Sequence, residues 1–366
     1  MKLRRFALPS RPNARDTNPC TTAQRRRWPT TTAPSTSTAP PTPPGWNVSP
    51  ANSPTCRGKE WWRVRSAPHL VVVDTDGGLD DALALLFLAR HPAVRLLGVG
   101  SVHGNVPAPA AAANALRVLE LAGDDHTPVA LGADAPLKQD VHFRHPDDPL
   151  GHLVGPPTRQ PAGESAAEQL VRLTRAHPGE VSVLALGPMT NLAHALDVDP
   201  DLPRLLRAVV AMGGVFTGPG NITEHAESNV HHDPDAAARI CTAGFDLTLV
   251  GLDVTRQVTP TTSWLRALAA DHSMPWAAYA QLLADTPREQ RPPLPLHDPL
   301  AAAVLLEPAL VTCRSGVVHV DTTQDNTRGR TRRDEEATAG PAARAAVTVD
   351  VPASLRLLLS GLLAGQ

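Results

Sequence analysis

From residue 68 onward the chain alternates short apolar, β-branched runs with stretches of helical character, and no other feature restricts its fold as much. Strand-like runs stand at 70–73, 94–99, 128–131, 181–186, 208–212 and 246–250. Helix-like stretches at 82–90, 110–121, 165–176, 189–196 and 234–242 are interleaved with them. Such alternation packs as parallel strands joined by crossover helices, so the expected fold class is α/β. The expectation for 68–366 is one domain with a mostly parallel central sheet flanked by helices, an open Rossmann-like core. Further helices are predicted over 260–269, 275–283 and 298–306, late edge strands at 317–320 and 345–349, and a closing helix over 352–363.

Residues 1–67 differ in kind. The run TTTAPSTSTAPPTPP (30–44), preceded by Arg25, Arg26 and Arg27, is low-complexity and buries too little apolar surface to offset the entropy of ordering it. A disordered, dispensable extension is expected there.

Composition removes several classes of function. Aromatic residues are 3% of the chain with a single Tyr, too few for nucleic-acid stacking platforms, and a formal charge of -2 exerts no general pull on nucleic acid or anionic membrane. Cys20, Cys56, Cys241 and Cys313 form no CxxC pair and read as ordinary thiols. No apolar run reaches bilayer length, and no apolar segment follows the basic start Lys2-Leu3-Arg4-Arg5. The expectation is a soluble, cytoplasmic protein whose partner is a small molecule, with neither nucleic acid nor membrane.

In open α/β sheets ligands bind beyond the carboxyl ends of the strands. The polar residues of this chain gather at those places. Asp74, Asp76, Asp80 and Asp81 follow the first strand run, and His103, Gly104 and Asn105 follow the second. Gly213, Gly214, Asn221, Glu227 and Asn229 follow the run ending at Met212, and His297-Asp298 opens a late helix. Four carboxylates within eight residues repel one another unless a cation neutralises them, and an all-oxygen set favours calcium or magnesium over zinc. Helix capping accounts for one or two of these carboxylates, not four. Gly78 and Leu79 stand where an EF-hand loop needs an acidic or amide residue and a glycine. A phosphatase with an aspartyl nucleophile is the nearest rival. Gly77-Gly78 after the second Asp and the scarcity of Lys speak against it. Asp298 can close the coordination shell from a distance, with His297 beside it as a proton donor. Asn105, Asn221, Glu227 and Asn229 suit a ligand rich in hydroxyls, and neither a P-loop nor GxGxxG is present.

Six collinear blocks carry a resemblance: VVVDTDGGLDDALALL (71–86), SVHGNV (101–106), ALGPMTNLAHAL (185–196), VVAMGGVFTGPGNITEHAESNVHHDPDAAA (209–238), LVGLDVT (249–255) and LHDPLA (296–301). Together they resemble the inosine–uridine-preferring nucleoside hydrolases. The resemblance implies an enzyme that hydrolyses the N-glycosidic bond of ribonucleosides to free base and ribose, with Ca2+ as cofactor and a role in nucleoside salvage. Asp76, Asp81 and Asp298 match calcium ligands, as does the backbone carbonyl of Leu186. Asp76 also matches the base that takes a proton from a calcium-bound water. Asp80, Asn105, Asn221, Glu227 and Asn229 match groups that hold the ribose hydroxyls, Met212 a residue lining the ribose pocket, and His297 the donor to the departing base. Relatives assemble as homodimers or homotetramers.

Two departures stand out. Gly77 replaces a usual Pro, and VHFRHPDDPLGH (141–152) alters the loop near the base, where His142 is the best match to the family pattern. Base-flanking aromatics are not evident in 288–296, which leaves the preferred base open. The alternative to an enzyme is a calcium- and ribose-binding protein without turnover, against which Asp76 and His297 together argue.

Overall fold

The computed structural model describes residues 67–148, 150–151, 155–272, 277–290, 294–336 and 340–364. The expected disorder of the N-terminal extension, Cys20, Cys56 and the start of the helix predicted at 275 lie outside the described residues.

Ten strands form one sheet: β1 (His69–Thr75), β2 (Val94–Ser101), β3 (Val129–Leu131), β4 (Ala162–Ser165), β5 (Val181–Ala185), β6 (Ala208–Met212), β7 (Leu247–Val250), β8 (Val311–Val320), β9 (Thr331–Asp334) and β10 (Ala343–Val349). Their order is β4-β3-β2-β1-β5-β6-β7-β10-β8-β9, parallel except where β8 pairs with β10 and β9. The α/β expectation therefore holds. Between the strands run α1 (Leu79–Arg90), α2 (Ala108–Ala122), α3 (Ala166–Ala176), α4 (Thr190–Val198), α5 (Leu202–Leu205), α6 (Ser228–His232) and α7 (Pro234–Thr242). The C-terminal part adds α8 (Leu252–Thr255), α9 (Thr262–Ala269), α10 (Ala277–Asp285), α11 (His297–Leu306) and α12 (Val351–Leu362).

The strand at 345–349, expected at an edge, lies inside the sheet between β7 and β8. Its Ala343, Ala345 and Ala346 are buried, and small apolar side chains give a weak strand signal. The edges are β4 (AGES) and β9 (TRRD), two short polar strands without a buried alternation to mark them.

Alternate residues of β1 feed the two faces of the sheet. Val71 and Val73 pack into the core under α1, α2 and α11, whereas Leu70 and Val72 pack on the opposite face with α3, α4 and α7 residues. Both sets are buried, which is why the run reads as continuously apolar. Phe87 of α1 is fully buried, and Gly361 of α12 lets its ring approach so closely that a Cβ there would stand 2.4 Å from it.

The chain leaves β1 towards β2 on one side, while β5 pairs on the other. The carboxyl ends of β1 and β5 therefore flank the crevice where strand order reverses, the place such sheets use for ligands. Among the described residues no helix is long and apolar enough to cross a membrane.

Candidate active site

The turn from β1 into α1 collects the aspartates. Gly77 sits at φ +76, a left-handed conformation closed to proline, and a Cβ there would stand 2.6 Å from Ala111 Cα. Glycine therefore suits this turn, and α1 starts two residues on at Leu79. Asp81 lies in the first turn of α1, where Oδ1 accepts from Thr75 Oγ1 (2.6 Å) and Asp76 N (3.2 Å) and Oδ2 from Gly78 N (3.1 Å). Helix-end amides and dipole favour a carboxylate at this position. Asn105 holds the Asp76 carboxylate on both oxygens: its backbone N donates to Oδ2 and its Nδ2 to Oδ1, both at 2.8 Å. Gly104 makes that approach possible, because a Cβ there would fall 2.2 Å from Asp76 Oδ2.

Oxygens of Asp80, Asp81 and Asp298 lie within 4.8 Å of one another. Asp298 comes from the first turn of α11, as expected of a distant partner. Asp76, expected among the ligands, accepts from Asn105 on both oxygens, and Asp80, expected on the sugar, supplies the third oxygen of this triad. Burial raises the pKa of Asp76, Asp81 and Asp298, and mutual repulsion adds to it, from Asp81 on Asp76, Asp80 on Asp81, and all three on Asp298. An all-oxygen cluster whose charges oppose one another fits a hard divalent cation, which would relieve that repulsion.

The other polar groups arrive from neighbouring strand ends. Asn229 donates from Nδ2 to the carbonyls of Leu186 (2.6 Å) and Met212 (3.1 Å), tying the ends of β5 and β6 together. Glu227 caps α6: Oε1 accepts from Asn229 N (2.8 Å) and Oε2 from Gly214 N and Val230 N (3.1 Å each). Burial raises its pKa, and those three amides oppose the rise. Asn221 Oδ1 accepts from Ser228 N at 2.9 Å. His297 Nδ1 meets Thr255 Oγ1 at 2.7 Å, and burial lowers the pKa of its ring. Asp74 turns away to Asn191 (2.7 Å), and burial pushes it up to about 7.

Asp80, Asn105, Leu186, Met212, Asn221, Glu227, Asn229, His297 and Asp298 all line one cavity of about 730 Å³. His142 does not line it. Arg144 and His145 of the same loop do, held by Arg144 N to Gly104 O (3.0 Å) and His145 N to Asn105 O (2.7 Å). Nothing periodic in that loop marks which side chain turns inward. Two further groups were not anticipated. Arg256 lines the wall and donates to the carbonyls of Pro219 and Gly220, both at 2.6 Å, bracing the approach to Asn221. The far end is apolar, with Trp264, Leu265 and Leu268 of α9 and Leu283 of α10.

The inosine-uridine preferring nucleoside hydrolase family model matches residues 71–356. The chain is 37% identical over 279 residues to a probable uridine nucleosidase 1 of Oryza sativa subsp. japonica, covering 72% of this chain and 85% of that protein. Its fold superposes on a plant nucleoside hydrolase with a TM-score of 0.73 at 30% identity, covering 81% of this chain and 99% of the other. A purine-preferring ribonucleoside hydrolase from Gardnerella vaginalis gives 0.73 at 29% identity, with 80% and 98% covered. The chain belongs to the inosine-uridine preferring nucleoside hydrolase family. It is a hydrolase of the N-glycosidic bond of ribonucleosides, and its substrates are small-molecule nucleosides.

Proposed function

We propose that the protein is a calcium-dependent ribonucleoside hydrolase that accepts uridine, with Asp76 as general base and His297 as donor to the leaving base. The carrying observation is the cluster of buried Asp81 and Asp298 with half-buried Asp80, which opens onto a cavity rich in hydroxyl-binding groups beside an Asp76 fixed by Asn105. Calcium fits the donor set better than zinc, and when bound it supplies positive charge that holds the ribose hydroxyls and gathers the carboxylates. Asp81, Asp298, Asp76 and the Leu186 carbonyl are its proposed ligands.

Asp76 takes a proton from the attacking water. Its two bonds to Asn105 fix the direction in which its carboxylate accepts that proton. Asp80, Asn105, Asn221, Glu227 and Asn229 hold the ribose hydroxyls, and Met212 packs under the ring. As the glycosidic bond breaks, the ribosyl group gains oxocarbenium character, which these acidic surroundings stabilise. Attack from the face opposite the departing base inverts the anomeric centre. His297, oriented by Thr255, delivers a proton to the base, which leaves poorly as an anion.

Uridine is supported by the Oryza relative's description as a probable uridine nucleosidase. Ribose release from uridine, cytidine, inosine, adenosine and nicotinamide riboside, each with and without a chelator, tests the reading. Uridine turnover that chelator abolishes is expected; turnover indifferent to chelator removes the metal, and no ribose from any substrate favours a binding protein. A cytoplasmic location and a homodimer or homotetramer complete the proposal, checked by cell fractionation and by size-exclusion chromatography with light scattering.

A further inference from the structure

We propose that His103, Thr190 and Asp233 form a buried chain of positioning residues that keeps the three sugar-facing loops aligned with one another. His103 Nε2 lies 3.1 Å from Thr190 Oγ1, and Thr190 Oγ1 lies 2.7 Å from Asp233 Oδ2. All three are fully buried, and none lines the cavity.

Each belongs to a different loop. His103 stands two residues before Asn105, and Gly104 between them (φ +152) adopts a backbone that side-chain-bearing residues rarely take. Thr190 opens α4, four residues after Leu186. Asp233 follows α6, the helix that begins with Glu227 as its cap, and it also accepts from Ala236 N (3.0 Å) and Leu137 N (2.9 Å). Thr190 Oγ1 donates its hydrogen to Asp233 Oδ2, which leaves the Thr190 oxygen to accept from His103 Nε2. Burial pushes His103 down to about 3, which keeps its ring neutral. Nδ1 has no partner among the described residues, so the bond to Thr190 is the ring's only directed tie.

Thr190 thus places one hydroxyl between the Asn105 loop and the loop that ends at Asp233, beside the separate bond of Asn229 Nδ2 to Leu186 O. Its neighbour Asn191 separately fixes the start of α4, donating to Asp74 Oδ1 (2.7 Å) and Ser101 O (2.8 Å) and accepting from Ala133 N (2.8 Å). Removing the Thr190 hydroxyl thus cuts the link without releasing the helix.

The inference rests on the proposal that Asn105, Glu227 and Asn229 hold the ribose, and the test separates the two. Full-length Thr190→Val is assayed for ribose release well below its Tm, beside Thr190→Ser and Asn105→Ala. We expect Thr190→Val to lose roughly tenfold to a hundredfold in kcat/KM, with kcat taking the larger share, as small misalignments of reacting groups do. Thr190→Ser, which keeps the hydroxyl, returns to within about twofold. A merely structural role predicts a lower Tm with wild-type kcat and KM, and that result overturns the inference. Unimpaired Asn105→Ala overturns the ribose assignment and the inference with it; impaired Asn105→Ala beside a wild-type Thr190→Val overturns the inference alone. Where Thr190→Val does not fold, His103→Gln, which can place an amide N–H near Nε2, is compared with His103→Met, which cannot donate. Retained activity in Gln and a similar loss in Met are expected, and equal activity of the two overturns it.

Discussion

The two ends of the cavity are built on opposite principles. At the strand end, Asp81, Asp76, Glu227 and Asn229 are each held by two or more hydrogen bonds, most of them to backbone amides or carbonyls of neighbouring loops. At the helical end, Trp264, Leu265, Leu268 and Leu283 offer apolar surface, and the one polar atom of Trp264 is already committed to Leu355 O at 2.9 Å. A site that hydrogen-bonds its substrate rejects analogues lacking those groups steeply, whereas apolar walls discriminate by only about 1–3 kcal/mol. On the proposed assignment of sugar to the strand end and base to the helical end, the sugar is strictly defined and the base loosely.

The largest test of that contrast is Asp298→Ala. It removes one corner of the acidic cluster, and kcat/KM should fall by roughly 10³-fold or more for every nucleoside, as chelation does. Because burial and its three acidic neighbours all disfavour an ionised Asp298, the variant should melt no lower than wild type when both are in chelator. A drop in activity matched by a drop in Tm breaks the assignment. Asp76→Ala should cost a comparable factor through loss of the base, about 10²–10⁴-fold. It removes one proposed ligand but leaves the oxygens of Asp80, Asp81 and Asp298 in place, so calcium binding by calorimetry should weaken yet survive better than in Asp298→Ala.

His297→Gln should cost less, about 10–10²-fold, and should show its origin in the pH profile. Burial lowers the His297 pKa below its ordinary 6.5, so the protonated ring is a minority form at neutral pH. A rate that depends on that proton falls as pH rises through the lowered value, and the variant should flatten this limb. An unchanged limb assigns the proton to another donor.

How legible these two ends were in the sequence follows the same division. Four carboxylates in eight residues repel one another, so the run Asp74 to Asp81 points to an acidic cluster that could hold a cation, and Asp298, opening a helix, supplies a distant member of that cluster. Residue types did not give side-chain direction: Asp76 turns to Asn105, and Asp80 joins Asp81 and Asp298. The loop after β3 shows no periodicity, so His142 was favoured where Arg144 and His145 face the cavity. Thr255, the partner of His297, stands 42 residues away in a four-residue helix that has no pattern of its own. The apolar wall was invisible for another reason: Trp264 and Leu268 at helical spacing look like any buried face. Leu268→Gln tests that wall. It should change the ratio of kcat/KM between purine and pyrimidine nucleosides by about tenfold at most, leaving the chelator response intact.

The smallest effect on turnover is expected at Asp74, which belongs to the aspartate run by sequence and to the core by structure. Its carboxyl lies against Asn191 behind the site and does not line the cavity. Asp74→Asn should keep kcat/KM within about threefold, since it preserves an acceptor for Asn191 and touches no substrate. Its mark should appear in stability. Burial holds Asp74 protonated up to about pH 7 in the fold, whereas the unfolded chain ionises it near 3.8. Between those values the unfolded state binds fewer protons, so stability falls as pH rises from about 4 to 7 and stays low above it. The variant cannot ionise and should lose this component, gaining on wild type by an amount on the order of a few kcal/mol at pH 8. Urea melts of both proteins at pH 4 and pH 8, in chelator so that only the carboxyls differ, measure it. A wild-type-minus-variant difference that does not change with pH shows that Asp74 is ionised in the fold and belongs electrostatically with Asp76 and Asp81 after all.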